Sequence, residues 1–292
     1  MPPTGSYALL GGRGALEVAD ADRAAFLQGL VSNDVTKAGP SRAVFAALLT
    51  AQGKYLHDFF IVAQGDALYL DCESSRLEDL KKRLSLYKLR SKVSLADASG
   101  RFIVAAAWGG DSLKRLGLAS PGTAKAFAGG LAYADPRLAG LGARFLIPRG
   151  KESEIAALGF TRSDAMAYDK HRLALGVPDG SRDLVVEKSI LLESGFEELN
   201  GVDFQKGCYM GQELTARTKY RALIRKRLLP VKVEGKLPAP GTPILAGGED
   251  VGELRSGVDG MALAMLQLDA LDVPLSAGGA KIVPQKPEWM KP

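Results

Sequence analysis

The chain has 292 residues, 46% hydrophobic and 24% charged, with a net charge of +5. That length suggests two or three domains with apolar surface enough for a sizeable core. No run approaches the roughly 18 consecutive apolar residues of a membrane span, and two cysteines cannot build a disulfide framework, so a reduced, cytoplasmic setting is expected. The opening residues Met1 to Ser6 lack the basic and apolar regions of a secretory signal, and no organellar presequence is visible.

Residues 7–18 alternate and read as short strands around Gly11-Gly12. Asp20 can cap a helix from Ala21 to about Leu30, followed by the polar loop Ser32-Asn33-Asp34-Val35. Three strands are predicted over 43–50, 55–63 and 67–73, with turns at Gln52-Gly53-Lys54 and Gly65-Asp66. Leu68, Leu70 and Cys72 share one face of the third strand, so Cys72 reads as a core residue. Ser74 introduces a helix over 75–88 whose apolar stripe is Leu77, Leu80, Leu84 and Tyr87, and a strand returns over 91–96. Residues 1–97 therefore read as one α+β unit with an antiparallel sheet.

A second α+β unit occupies 98–165. It comprises the apolar strand Phe102 to Trp108, a helix near 112–117, strands near 131–134 and 143–147, and a helix over 151–158. Its Gly-rich pieces follow no phosphate-loop spacing and read as turns. Ser163 can cap a helix from Asp164 to about Leu175, which Gly176 ends and Pro178 blocks. On it Tyr168, Arg172 and Leu175 lie close to one face. Residues 166–227 hold this helix and the segment discussed next. Residues 228–292 hold short strands at 228–233, 243–245, 251–254, 262–268 and 281–283 between Gly and Pro turns, which fits a small β-barrel.

The stretch with most chemical content is Lys206-Gly207-Cys208-Tyr209-Met210-Gly211-Gln212-Glu213. Gly207 and Gly211 allow a tight turn into a helix start. A thiol at Cys208, near unpaired N–H groups, Lys206 and Arg217, is biased toward its thiolate. A buried, inert cysteine is the alternative. Arg217, Lys219, Arg221, Arg225, Lys226 and Arg227 fall within eleven residues that contain no acid. They make either a solvated face or a site for an anionic ligand. The only histidines, His57 and His171, are 114 positions apart, and no Cys-x-x-Cys pair exists. A self-contained metal or cluster site needs about four such ligands, so Cys208 could serve only as one ligand to a cluster shared with another protein. Aromatic interleaving is sparse and no nucleic-acid motif occurs, so neither nucleic acid nor membrane is an expected partner.

Lys-Gly-Cys-Tyr-x-Gly-Gln-Glu resembles the signature of the YgfZ/GcvT-type folate-binding family, relatives of the aminomethyltransferase (T protein) of the glycine cleavage system. Gly176-Val177-Pro178, Asn200 to Gln205, Leu214 to Thr218 and Ile224 to Arg227 occur in the family's order. That order is most similar to the branch containing the mitochondrial iron–sulfur cluster maturation factor.

The resemblance implies a GcvT-like α+β fold: two sheet units and a C-terminal barrel around a central folate-binding hole. It implies tetrahydrofolate or a derivative as cofactor, with Asn33, Arg172, Glu193, Lys206, Gly207, Tyr209, Gly211, Gln212, Glu213 and Arg217 at or near it. It also implies Cys208 as the working thiol, with an iron–sulfur scaffold or carrier protein and client apo-enzymes as partners. Location would be cytoplasmic, or the mitochondrial matrix in a eukaryote.

The sequence departs from the T-protein pattern in one place. Where T proteins carry two adjacent aspartates after a Gly-rich turn, this chain has His57-Asp58. Without the first carboxylate, aminomethyl transfer lacks its proton control. The expected role is an accessory factor for assembly or repair of four-iron cluster proteins. A folate-dependent one-carbon transferase and a module binding RNA or other anionic surfaces are the alternatives.

Overall fold

A computed structural model describes residues 5–221 and 224–290. Met1 to Thr4, read above for targeting signals, lie outside them. In chain order the elements are β1 (Ser6–Leu9), β2 (Arg13–Ala19), α1 (Arg23–Gln28), β3 (Val44–Leu49), β4 (Tyr55–Gln64) and β5 (Ala67–Glu73). Next come α2 (Leu77–Ser85), β6 (Ser94–Asp97), β7 (Phe102–Trp108), α3 (Ser112–Leu116), β8 (Ala124–Phe127), β9 (Gly130–Ala134) and β10 (Ala143–Pro148). Then follow α4 (Ser153–Ala157), β11 (Thr161–Arg162), α5 (Ala165–Ala174) and α6 (Gln212–Tyr220). The last are β12 (Lys226–Glu234), β13 (Pro243–Ala246), β14 (Glu249–Val258), β15 (Met261–Gln267), β16 (Leu275–Ala277) and β17 (Ala280–Pro284).

The chain divides into two compact units, each built from discontinuous segments. The first takes Met1–Leu49, Leu56–Tyr168 and Leu199–Met210; the second takes Thr50–Tyr55, Asp169–Glu198 and Gly211–Pro292. The first unit holds a five-stranded sheet in the order β3-β4-β5-β2-β6 and a six-stranded sheet in the order β11-β1-β7-β10-β9-β8. The opening strand does not join its sequence neighbours. β1 pairs antiparallel with β7 and parallel with β11, because Tyr7 and Ala8 fill the core of that sheet. A strand over 124–127 completes it and was not predicted.

Pleat alternation explains the core of the five-stranded sheet. Leu68, Leu70 and Cys72 are all buried, Cys72 at 1% exposure, and burial pushes its thiol up to about 12. α2 contributes Leu77, Leu80 and Leu84. Tyr87, predicted to extend that stripe, lies beyond the helix end and is exposed. α5 is capped one residue later than predicted: the Asp164 carboxylate accepts from the Ala167 N–H at 2.8 Å.

Asp71, on the opposite pleat face from Cys72, ties the two sheets of the first unit together. It accepts from Arg13 Nε at 2.7 Å on β2, from Arg144 Nη2 at 2.7 Å on β10 and from the Tyr133 hydroxyl at 3.0 Å on β9. Burial alone would raise its pKa, but Arg13 and Arg144 outweigh burial and hold the carboxyl below the usual range. Phe60 lies under these cations, with the Arg144 guanidinium 4.1 Å and that of Arg137 4.8 Å from its ring centre. Arg137 is fixed by a two-point fork to Asp135 at 3.0 and 2.7 Å.

In the second unit β12-β15-β14-β13-β16-β17 close into a barrel. Closure leaves no edge strand. The core holds Leu229, Val231, Ile244, Leu254, Leu266 and Ile282. Five of the six strands were predicted; β16, three residues long, was too short to show a period. Among the described residues no helix is long and apolar enough to cross a membrane.

Candidate functional site

The signature stretch is shared between the units: Lys206 to Met210 belong to the first, Gly211 to Glu213 to the second. In the first unit its position is set by residues 28–37. Ser32 Oγ donates to the Gly201 carbonyl at 2.6 Å and the Asp203 N–H donates to the Ser32 carbonyl at 3.0 Å. Asn33 Nδ2 donates to the carbonyls of Phe45 at 2.8 Å and Asn200 at 2.7 Å, while its Oδ1 accepts from the Asp34 N–H at 2.8 Å. Lys37 pairs with Asp203 at 2.5 Å. Asn33 thus fastens this segment from a buried position, using both ends of its amide.

Lys206 points back to α1. Its ammonium donates to the Gln28 carbonyl at 2.5 Å, which the helix end leaves unsatisfied, and to the Val31 carbonyl at 2.8 Å, and lies 4.9 Å from the centre of the Tyr209 ring. Burial lowers its pKa to about 8, against the opposing pull of Asp34 and Asp203. The Met210 N–H donates to the Gly29 carbonyl at 3.1 Å. Between these two anchors Gly207 adopts φ +91°, closed to most side chains. Tyr209 turns inward, and Cys208 is exposed. The two thiols therefore differ: Cys72 is enclosed, and Cys208 stands at the surface of a segment held on both sides.

In the second unit Gly211 (φ +79°) precedes α6, so the helix starts at Gln212, four residues after Cys208. The turn at Gly53 (φ +80°) packs on this helix start. A Cβ there would lie 2.6 Å from the Gly211 carbonyl oxygen and 2.6 Å from Leu214 Cβ. Only glycine allows so close an approach.

Three of the six cations of the basic run are paired locally. Arg217 pairs with Glu213 at 2.6 Å, Lys219 with Glu197 at 2.5 Å and Arg227 with Glu198 at 2.5 Å. Arg172 is buried, and each of its guanidinium nitrogens has a partner. Nε donates to Asp169 at 2.5 Å, Nη1 to Asp183 at 2.8 Å and to the Val177 carbonyl at 3.1 Å, and Nη2 to Ser256 Oγ at 2.6 Å.

Glu193 differs from these groups. It is half-buried, and among the described residues its carboxylate has no hydrogen-bond partner. Burial raises its pKa, only partly opposed by Lys54 and Lys226. A half-desolvated acceptor of this kind suits a donor-rich ring edge.

His57 lies on the β4 pleat face that meets α2, and its Nε2 is 2.9 Å from Asp79 Oδ2. Burial, assisted by Arg76, lowers its pKa to about 4, so the imidazole is neutral at pH 7. Asp58 and Phe60 occupy the other face. The arginine, aspartate and tyrosine cluster around Asp71 was missed from sequence. Its members are 58 to 73 residues from Asp71 and carry no local signal.

The arrangement has the fold of the glycine-cleavage aminomethyltransferases. It matches the crystal structure of the glycine cleavage system aminomethyltransferase T from Bartonella henselae with a TM-score of 0.79 at 12% identity, covering 99% of this chain and 87% of that one. Residues 225–292 match the family described as CAF17, C-terminal beta-barrel domain. The chain is 34% identical to the mouse iron–sulfur cluster assembly factor IBA57, mitochondrial, covering 91% of this chain and 78% of the relative. It is 35% identical to the human protein of the same name, covering 96% and 84%. The chain belongs to the IBA57 family of iron–sulfur cluster assembly factors.

Proposed function

We propose that this chain is a tetrahydrofolate-binding accessory factor for assembly or repair of four-iron cluster proteins, with Cys208 as a reactive thiol or shared cluster ligand. It would act in the mitochondrial matrix in a eukaryote and in the cytoplasm otherwise. The observation that carries the reading is the exposure of Cys208 on a segment pinned by Lys206 on one side and Met210 on the other. The cluster is cargo. One thiolate cannot hold it alone, so Cys208 acts across an interface with a scaffold or carrier protein that supplies the remaining ligands, on the way to client apo-enzymes.

The folate reading rests on the motif resemblance, and the donor set fits it in part. Glu193 offers an unmet acceptor to the aminopyrimidine edge of a pterin. The side chains of Asn33, Lys206 and Arg172 are engaged with the protein, so their part is to shape the surrounding backbone. Reduced folate, when bound, supplies a one-carbon unit or reducing equivalents; Glu193 orients it. His57 is committed to Asp79 on the helix side of β4 and is given no part in the chemistry.

Two measurements test this. A deletion strain complemented with Cys208→Ser should keep the protein folded yet lose activity of four-iron enzymes, and Cys208 should be alkylated far faster than Cys72. Full rescue by the serine variant would reduce the cysteine to packing. Titration with tetrahydrofolate should saturate and weaken at least tenfold in Glu193→Gln; no binding at millimolar folate removes the cofactor.

A further inference from the structure

Residues 81–92 contain six cations, Lys81, Lys82, Arg83, Lys88, Arg90 and Lys92, and no acid. Leu84 is the last residue α2 gives to the core. Beyond it three large apolar side chains face outward: Leu86 is 69% exposed, Tyr87 43% and Leu89 90%. Leu89 also has φ +40°, a left-handed conformation that leucine adopts at a cost. Its turn is closed by the Ser91 N–H donating to the Lys88 carbonyl at 2.8 Å. A glycine or asparagine would relieve the strain. Here a strained backbone holds an apolar side chain in water, a combination packing does not explain and binding does.

Charge adds to the apolar signal. Lys81 and Arg83 pair with Glu78 and Asp79. Among the described residues Lys82, Lys88, Arg90 and Lys92 form no ion pair. At the foot of the turn lies an open depression of about 690 Å³ lined by Asp22, Tyr87, Leu89, Arg90 and Ser91.

The turn is coupled to the signature segment through one short helix. Asp22, just before α1, exchanges backbone and side-chain hydrogen bonds with Lys92, at 3.1 Å to its carbonyl and 2.7 Å from its N–H. Lys206 caps the other end of α1 at the Gln28 carbonyl. Six helical residues span about 9 Å. Ala24, Ala25 and Gly29, exposed between the two ends, leave that surface low.

We infer that the 86–92 turn docks an acidic partner protein that carries apolar side chains, and that this docking brings the partner alongside Cys208. The inference rests on the proposed action of Cys208 across an interface and names the surface that selects the partner. A protein is favoured over an anionic lipid surface. The proposed action of Cys208 needs a protein that supplies the remaining cluster ligands, and the depression is open to one beside Tyr87, Leu89 and Arg90. Four unpaired cations around an apolar centre steer an acidic partner in and fix its register.

The test titrates the full chain, by calorimetry at low and high salt, with each purified iron–sulfur scaffold and carrier protein of the same cell. Phosphatidylglycerol vesicles serve as a parallel probe. At least one acidic carrier should bind, more weakly at high salt, and at least tenfold more weakly to both Leu89→Gly and the Lys88→Glu/Arg90→Glu double variant. Leu89→Gly removes the side chain and the strained φ together. Its thermal midpoint should stay at or above that of the parent, which separates lost binding from lost fold. No binding by any carrier, equal binding to parent and variants, or binding to vesicles in place of carriers overturns the docking surface. Rescue by Cys208→Ser in the complementation assay overturns the thiol reading instead and leaves the binding data standing.

Discussion

Each unit has a buried ionic hub, and the two have opposite signs at their centres. In the first, the Asp71 carboxylate gathers two guanidinium groups and a phenol from residues 58, 73 and 62 positions away. In the second, the Arg172 guanidinium gathers two carboxylates, a carbonyl and a hydroxyl, and only Ser256, 84 positions away, is distant. A buried charge stays ionised only while its partners are present. The first hub therefore reports on the joining of two sheets, and the second mainly on how one helix meets the loop after it.

Removing the centre of each hub tests this contrast. Asp71→Ala leaves Arg13 and Arg144 without their shared acceptor. It should cost about 4–5 kcal/mol, at the upper end for a broken buried pair. Arg172→Ala should cost less, about 3 kcal/mol. Asp183 keeps three donors: the N–H groups of Ser256 and Asp179 and the Ser256 hydroxyl. Urea midpoints and slopes measure both; a larger loss at Arg172 would invert the contrast.

A smaller effect sharpens it through pH. His57 has a folded pKa of about 4 against about 6.5 for an unfolded histidine. Its contribution is complete above pH 6.5 and is lost as pH falls from 6.5 to 4, because the unfolded chain takes up the proton first. By pH 5 the loss is about 2 kcal/mol. His57→Gln should flatten the urea midpoint between pH 7 and pH 5 relative to the parent. An unchanged slope would mean that His57 titrates normally.

The smallest effect separates the two thiols. Cys72→Ser puts a hydroxyl into the packed face of β5 and should cost about 1–3 kcal/mol. Cys208→Ser, at an exposed site, should change stability by less than about 0.5 kcal/mol. Thermal melts of the two variants check the pair, and equal losses would mean that Cys208 packs against the fold.

What the sequence made legible follows the range of the interactions. Strand alternation placed Cys72, and turn residues bounded β3, β4 and β5 within a residue or two. The Gly and Pro spacing gave the barrel. The signature motif marked Cys208, but its surroundings could not be read. Lys206 reads as a neighbour of the thiol, yet its ammonium turns to the carbonyls of Gln28, at the end of α1, and Val31, 178 and 175 positions earlier. The strand β1 was misjudged for the same reason: four residues carry too little pattern to reveal a pairing partner about 100 positions on. The hub at Asp71 left no trace, because one aspartate in a strand looks like any other.

The first unit is not finished when its sheets have been made. Ser32, Asn33 and Lys37 hold partners in the segment from Asn200 to Asp203, and that segment follows thirty residues belonging to the other unit. At translation speeds of about 5–20 residues per second, the nascent chain waits about 2–8 s between residue 168 and residue 210 with those particular bonds unmade. During that interval a chaperone finds the ends of α1 and β3 open. A chain truncated after residue 168 would remain in that condition permanently.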